Sequence, residues 1–210
     1  MTAAVDVYCA SLEAAAQPLF LHYQDGRTRF LPVDAWTAVE VAGDAGLVDR
    51  CAGATLDIGC GPGRLVVAVA GRGLPVLGLD IAPGAVRLAR ARGALAITRC
   101  VFGELPGRGR WDTALLADGN VGIGGSPVDL LSRVRELLAP GGSALVELDP
   151  PGTPSGKVQV RMEHAGHLSS WFPWAHLAVD QARGVAEIAG FSVTEIWEDS
   201  GRWFAALVRA

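Results

Sequence analysis

Apolar residues in the middle of the chain gather into short continuous runs at 55–58, 76–80, 96–102, 112–118 and 143–149. Between them lie stretches with helical spacing at 65–71 and 84–92, and a third stretch carrying Leu130, Leu131, Val134, Leu137 and Leu138. Near-continuous apolar strands alternating with amphipathic helices predict a parallel sheet covered on both faces. Pro83 opens the second helix, Ser126-Pro127-x-Asp129 starts the third, and Pro140-Gly141-Gly142 stops it. After the fifth run the pattern changes. Val158, Val160, Met162 and His164 alternate, Ala165-Gly166 turns, and 168–174 returns, which predicts a hairpin inserted at about 157–176. A helix at 179–190 and two strands at 192–197 and 203–208, joined by Asp199-Ser200-Gly201, finish the sheet antiparallel. Ahead of the core, residues 5–21 predict one helix or a pair ending near Pro18. Asp25-Gly26 within 21–32 predicts a hairpin with a type I′ turn, and 43–50 a short helix. The organisation expected is a helical and hairpin cap over 1–50, followed by one domain over 51–210.

The first run leads into Asp57-Ile58-Gly59-Cys60-Gly61-Pro62-Gly63 and then a helix. A strand, a glycine turn and a helix leave backbone N–H groups free to face a ligand. The second run ends in Asp80, placed to grip ribose hydroxyls. Asp57-x-Gly59-x-Gly61-x-Gly63 followed by Gly78-Leu79-Asp80 resembles motif I and the acidic motif of class I S-adenosylmethionine-dependent methyltransferases; the nicotinamide fingerprint is spaced differently.

The resemblance implies an α/β fold, a Rossmann-like three-layer sandwich. Its sheet is mostly parallel and seven-stranded with an antiparallel C-terminal strand, here with the small cap and the hairpin after strand five. It implies S-adenosyl-L-methionine as cofactor and S-adenosyl-L-homocysteine as product. Gly59, Cys60, Gly61 and Gly63 would approach the methionine and ribose portions, Asp57 would orient the amino-acid portion, and Asp80 would take both ribose hydroxyls. Ile81 would pack on adenine. Val101 stands where the family carries an acid for the adenine amino group, so the Phe102 backbone takes that part, with Glu104 as an alternative. Asp118, Gly119 and Asn120 would border the transferred methyl.

His titrates in the range a general base needs. His164 and His167, near the turn of the inserted hairpin, are the base candidates with Asp118; His176, Glu147 and Asp149 are further ones. Tyr23, Asn120, Trp171, Phe172 and Trp174 are expected to contact substrate, with Trp36 and His22 as additional cover. Asp118, Glu147 and Asp149 have no spacing that requires a metal, and none is expected.

The chain has 210 residues and a net charge of −4, with Lys157 its one lysine. That balance argues against nucleic acid as a partner. Asp149-Pro150-Pro151-Gly152 also lacks the aromatic of a nucleic-acid methyltransferase motif. Cys9, Cys51, Cys60 and Cys100 are scattered without C-x-x-C spacing, as in a reduced compartment. No run approaches the roughly 18 apolar residues of a membrane span, and no basic leader is visible. The expectation is a cytoplasmic enzyme, away from membranes, with a homodimer open. It would methylate a small molecule, in specialised metabolism. The competing expectation is a protein of the same fold that binds the cofactor without transferring methyl.

Overall fold

The computed structural model describes residues 2–14 and 17–209. The chain opens with α1 (Ala4–Glu13), the hairpin β1 (Leu19–Tyr23) and β2 (Thr28–Leu31), and the short helices α2 (Val33–Thr37) and α3 (Asp44–Asp49). The core alternation follows: β3 (Thr55–Ile58), α4 (Arg64–Gly71), β4 (Val76–Asp80), α5 (Pro83–Ala91), β5 (Ala96–Thr98) and β6 (Trp111–Leu116). A 3₁₀ segment (Asn120–Gly125) leads to α6 (Pro127–Leu137) and β7 (Leu138–Leu148). The remainder is β8 (Gly156–His164), β9 (His167–Leu168), β10 (Phe172–His176), α7 (Val179–Ile188), β11 (Phe191–Asp199) and β12 (Arg202–Arg209).

The main sheet has seven strands in the order β11-β12-β7-β6-β3-β4-β5. The pairs β7–β6, β6–β3, β3–β4 and β4–β5 are parallel, and β12 runs antiparallel to both neighbours. Every residue of β3 and β4 is buried, as covering both faces requires. Period-two alternation divides the core. Ala114 and Leu116 of β6 join Leu56, Ile58 and the leucines of α6 on one face. Leu115 and Ala117 join Leu65, Val66 and Val69 of α4 on the other. Strand order reverses between β3 and β6, so their connections diverge and leave a crevice at their C-terminal ends.

The hairpin β1–β2 and the insertion after β7 share a second, antiparallel sheet. It runs β10-β8-β1-β2, with β9 also on β8. β1 pairs with β8 from Leu19↔His164 to Tyr23↔Val160. The inward residues Leu21, Tyr23 and Val160 form one apolar cluster with Met162, Phe172 and Trp174 packed on it. This sheet is the roof of the crevice; α1 packs against it and against α5.

Several boundaries differ from expectation. The first helix stops at Glu13, and Leu19, Leu21 and Tyr23 alternate as a strand instead; Ala15 and Ala16 lie outside the described residues. The hairpin turn is not type I′. Gly26 alone takes a positive φ of 89°, its N–H bonds to Tyr23 O at 3.1 Å, and Tyr23 N–H reaches Arg27 O at 2.9 Å. That is a three-residue loop with glycine in the left-handed position. β5 ends at Thr98 rather than at 102. The returning strand of the insertion breaks at Ser169, whose hydroxyl accepts the Met162 N–H.

Candidate active site

The crevice between the two sheets is a cavity of about 690 Å³. Its floor is the turn after β3. Gly59 and Gly61 have φ of 74° and 52°, and both line the cavity. A Cβ on Gly59 would fall 2.6 Å from the Asn120 side chain, and one on Gly61 would lie 3.2 Å from the Tyr8 hydroxyl. Asn120 braces the turn, since its Nδ2 donates to Ile58 O at 3.0 Å and Gly59 O at 2.9 Å. Gly63 does not reach the cavity. It caps α4 with a φ of 86°, and a Cβ there would lie 2.8 Å from that of Ala89, so this glycine serves helix packing.

Asp80 borders the cavity at the end of β4. Its Oδ2 accepts the Gly61 N–H at 3.0 Å and its Oδ1 the Ala82 N–H at 2.8 Å. Burial pushes its carboxyl up, opposed by those amides. Asp57 is 2% exposed. Burial first, then the charge of Asp118, raise it to about 7, against the pull of Arg64, and no described residue donates a hydrogen bond to it. A buried carboxylate without a donor is fitted to a cation.

Behind these acids two arginines are held by three carboxylates. Arg64 donates to Asp44 and, at 2.6 Å, to Asp118. Arg202 reaches Asp44 at 2.9 Å, both oxygens of Glu147 at 3.0 and 2.8 Å, and Asp118 at 3.3 Å. Glu147 also accepts the Asp118 N–H at 2.6 Å. Both Asp118 oxygens are therefore occupied, which removes it as a free base. Neither arginine was legible as a site residue from spacing alone.

At the mouth, Ile81 and Phe102 both line the cavity although 56% and 45% exposed, two apolar surfaces that a planar group would cover. Val101 is buried in the wall, and Cys60 is a buried thiol whose pKa burial pushes up. From above come Tyr8, Trp36, Leu21, Met162, Phe172 and Trp174. Tyr8 meets Trp36 edge-on at 5.8 Å.

Other candidates lie elsewhere. His164 is 3% exposed at the far end of β8, its Nδ1 3.3 Å from Pro18 O, two residues beyond the cavity-lining Met162. His167 is exposed in the β9 turn. Neither lines the cavity, because the insertion's turn projects past the crevice rather than over it. Trp171 lies outside with the Arg161 guanidinium 4.8 Å above its ring, and His22 bonds Glu163 at 2.7 Å. Tyr23 is buried beyond the cavity wall, where its hydroxyl meets His176 at 3.1 Å. His176 and Asp149 do line the cavity. Among the described residues no group of three His, Cys, Asp or Glu side chains is arranged to hold a metal ion.

Residues 55–142 match the family model described as a methyltransferase domain. The matched stretch spans the turn after β3, Asp80 and the Asp118–Asn120 segment. Among solved structures, the whole chain superposes on a methyltransferase from Bacteroides fragilis in complex with S-adenosyl-L-homocysteine. The TM-score is 0.80 at 20% identity, covering 99% of this chain and 94% of that one. The 1,6-didemethyltoxoflavin-N1-methyltransferase of Burkholderia thailandensis gives 0.61 at 18% identity, covering 98% and 88%. CalS10, an amino pentose methyltransferase from Micromonospora echinaspora, gives 0.57 at 21%, covering 80% and 90%. These likenesses, all at 21% identity or below, are likenesses of fold. Among curated proteins the sequence finds no match. Among the described residues no helix is long and apolar enough to cross a membrane.

Proposed function

We propose that this protein transfers the methyl group of S-adenosyl-L-methionine to a small-molecule acceptor. The observation that carries this reading is the pairing of Asp57, buried with no donor, and Asp80, fixed on two backbone amides, around the Gly59–Gly61 turn. The donor set fits the cofactor: Asp57 faces a cation, Asp80 offers a carboxylate to hydroxyls, and Ile81 and Phe102 present apolar faces to a planar base. The cofactor, when bound, supplies an electrophilic methyl on a sulfonium. The chain supplies position and a dry enclosure, roofed by residues such as Leu21, Met162, Phe172 and Trp174. A small apolar or planar acceptor suits that roof. Specialised metabolism as its source is supported by two of the similar solved structures, one named for 1,6-didemethyltoxoflavin and one for calicheamicin biosynthesis.

Titration calorimetry with S-adenosyl-L-methionine tests the reading. Binding is expected, and Asp80→Ala is expected to weaken it by more than about tenfold, the loss of hydrogen bonds to a charged group. Near-unchanged affinity in that variant overturns the assigned pocket. Release of S-adenosyl-L-homocysteine with a panel of acceptors then separates transfer from binding alone.

A further inference from the structure

Asp149 follows β7, His176 closes β10, and the two meet in a partition. On one side is the main cavity; on the other is a second recess of about 310 Å³. Both residues line both spaces. His176 Nδ1 lies 3.1 Å from Asp149 Oδ2, which also accepts the Leu177 N–H at 3.2 Å. His176 Nε2 lies 3.1 Å from the Tyr23 hydroxyl, and the two rings stack at 5.8 Å and 25°. An ionised carboxylate only accepts. Nδ1 therefore carries the hydrogen, Nε2 presents its lone pair, and the Tyr23 hydroxyl donates to it.

We propose that His176 is the proton acceptor for methyl transfer to a hydroxyl on a planar aromatic acceptor. Asp149 is its positioning partner, and the Tyr23 hydroxyl is the group the acceptor displaces from Nε2. The assignment rests on the methyltransferase reading above. Asp57 faces the cofactor cation, Asp118 and Glu147 are held by Arg202, Asp80 is held by amides, and burial pushes up the Tyr8 hydroxyl and the Cys60 thiol. A hydroxyl acceptor enters neutral, whereas an ammonium would bring a second cation beside a sulfonium within apolar walls. Phe172 and Trp174, on the same strand as His176, line the cavity with rings edge-to-face at 6.3 Å and give an aromatic acceptor an apolar aromatic wall.

In the step, the acceptor's O–H bond breaks toward Nε2 and its oxygen forms the new O–C bond. The C–S bond breaks with its electron pair left on sulfur. The imidazolium so formed is held against the Asp149 carboxylate. Its proton leaves to water through the second recess, whose lining carries Arg27, Arg29 and Lys157 as cations and Asp149 as the acid.

The test uses the full chain loaded with S-adenosyl-L-homocysteine. Long-range ¹⁵N NMR of the histidines, with His176→Gln to assign the signal, is expected to show hydrogen on Nδ1 of His176. Asp149→Asn is expected to move it to Nε2. 4-Nitrophenol is the acceptor probe. Its phenolate absorbance is expected to appear on binding at a pH below that of the free probe, and to be lost in His176→Gln, whose affinity for S-adenosyl-L-homocysteine monitors folding. Hydrogen on Nε2 in the unaltered protein overturns the proposal. So does a probe that fails to bind, binds without ionising, or ionises equally in the variant. If the protein refuses S-adenosyl-L-homocysteine altogether, the methyltransferase reading falls and this assignment with it.

Discussion

Asp57 is the residue at which burial and function meet most directly. Desolvation, then the charge of Asp118, raise its carboxyl to about 7 in the folded chain, against about 3.9 when unfolded. The folded state therefore holds this proton more tightly. The contribution to stability is full below about pH 4 and declines as pH rises through about 7. A cationic ligand reverses the preference, because it favours the ionised carboxylate. Affinity for S-adenosyl-L-methionine is expected to fall by up to about tenfold per pH unit below about 7. The dependence should flatten in Asp57→Asn; calorimetry across pH 5.5 to 8.5 (a range set by ~1.5 units either side of that value) reads both. Residues of the first turn were legible because strand, glycines and acid are neighbours in sequence. His164 and His167 were not, since alternation along β8 says which way a side chain points but not how far the strand runs past the crevice. Arg202 pairs with Asp44 across most of the chain, a partnership that spacing does not encode.

At the scale of elements, local signals set the helix starts. Ser126 is the N-cap of α6, and its Oγ accepts the Asp129 N–H at 3.3 Å with Pro127 at the first turn. Ser126→Ala is expected to cost about 1 kcal/mol, seen as a drop of about 2–4 °C in thermal midpoint, with cofactor affinity unchanged. The βα alternation of the core was legible for the same reason, each element carrying its own period and stop. The roof was legible only in pieces. Two hairpins could be seen, but their union through β1 and β8 depends on a non-local pairing of edges that any exposed strand could satisfy. The turn at Gly26 shows the limit of a dipeptide signal, because Asp-Gly serves a three-residue loop as well as a two-residue one.

For the molecule as a whole, Arg202 is a tie between distant parts. From the first residue of β12 it grips Asp44 on α3, Glu147 on β7 and Asp118 beside the crevice, and donates to Ala42 O at 3.1 Å. Only 15% of its side chain is exposed. Arg202→Met removes one partner of a largely buried ionic network, leaving Asp44 and Asp118 with Arg64 alone and Glu147 with no arginine. A loss of about 3–5 kcal/mol is expected in urea denaturation. The loss should be larger at pH 8 than at pH 5, where protonation of Asp118, whose carboxyl burial pushes up, relieves part of the stranded charge.

The roof's middle strand has a temporal consequence. β1 is made early and β8 only after the five parallel strands of the main sheet, yet each is the other's neighbour. During synthesis the floor can settle from contiguous chain while the first hairpin waits, its backbone edge unclaimed, until residues 156–164 emerge. Competence to enclose a ligand thus arrives late, when two distant stretches of thread are stitched together above the parallel strands.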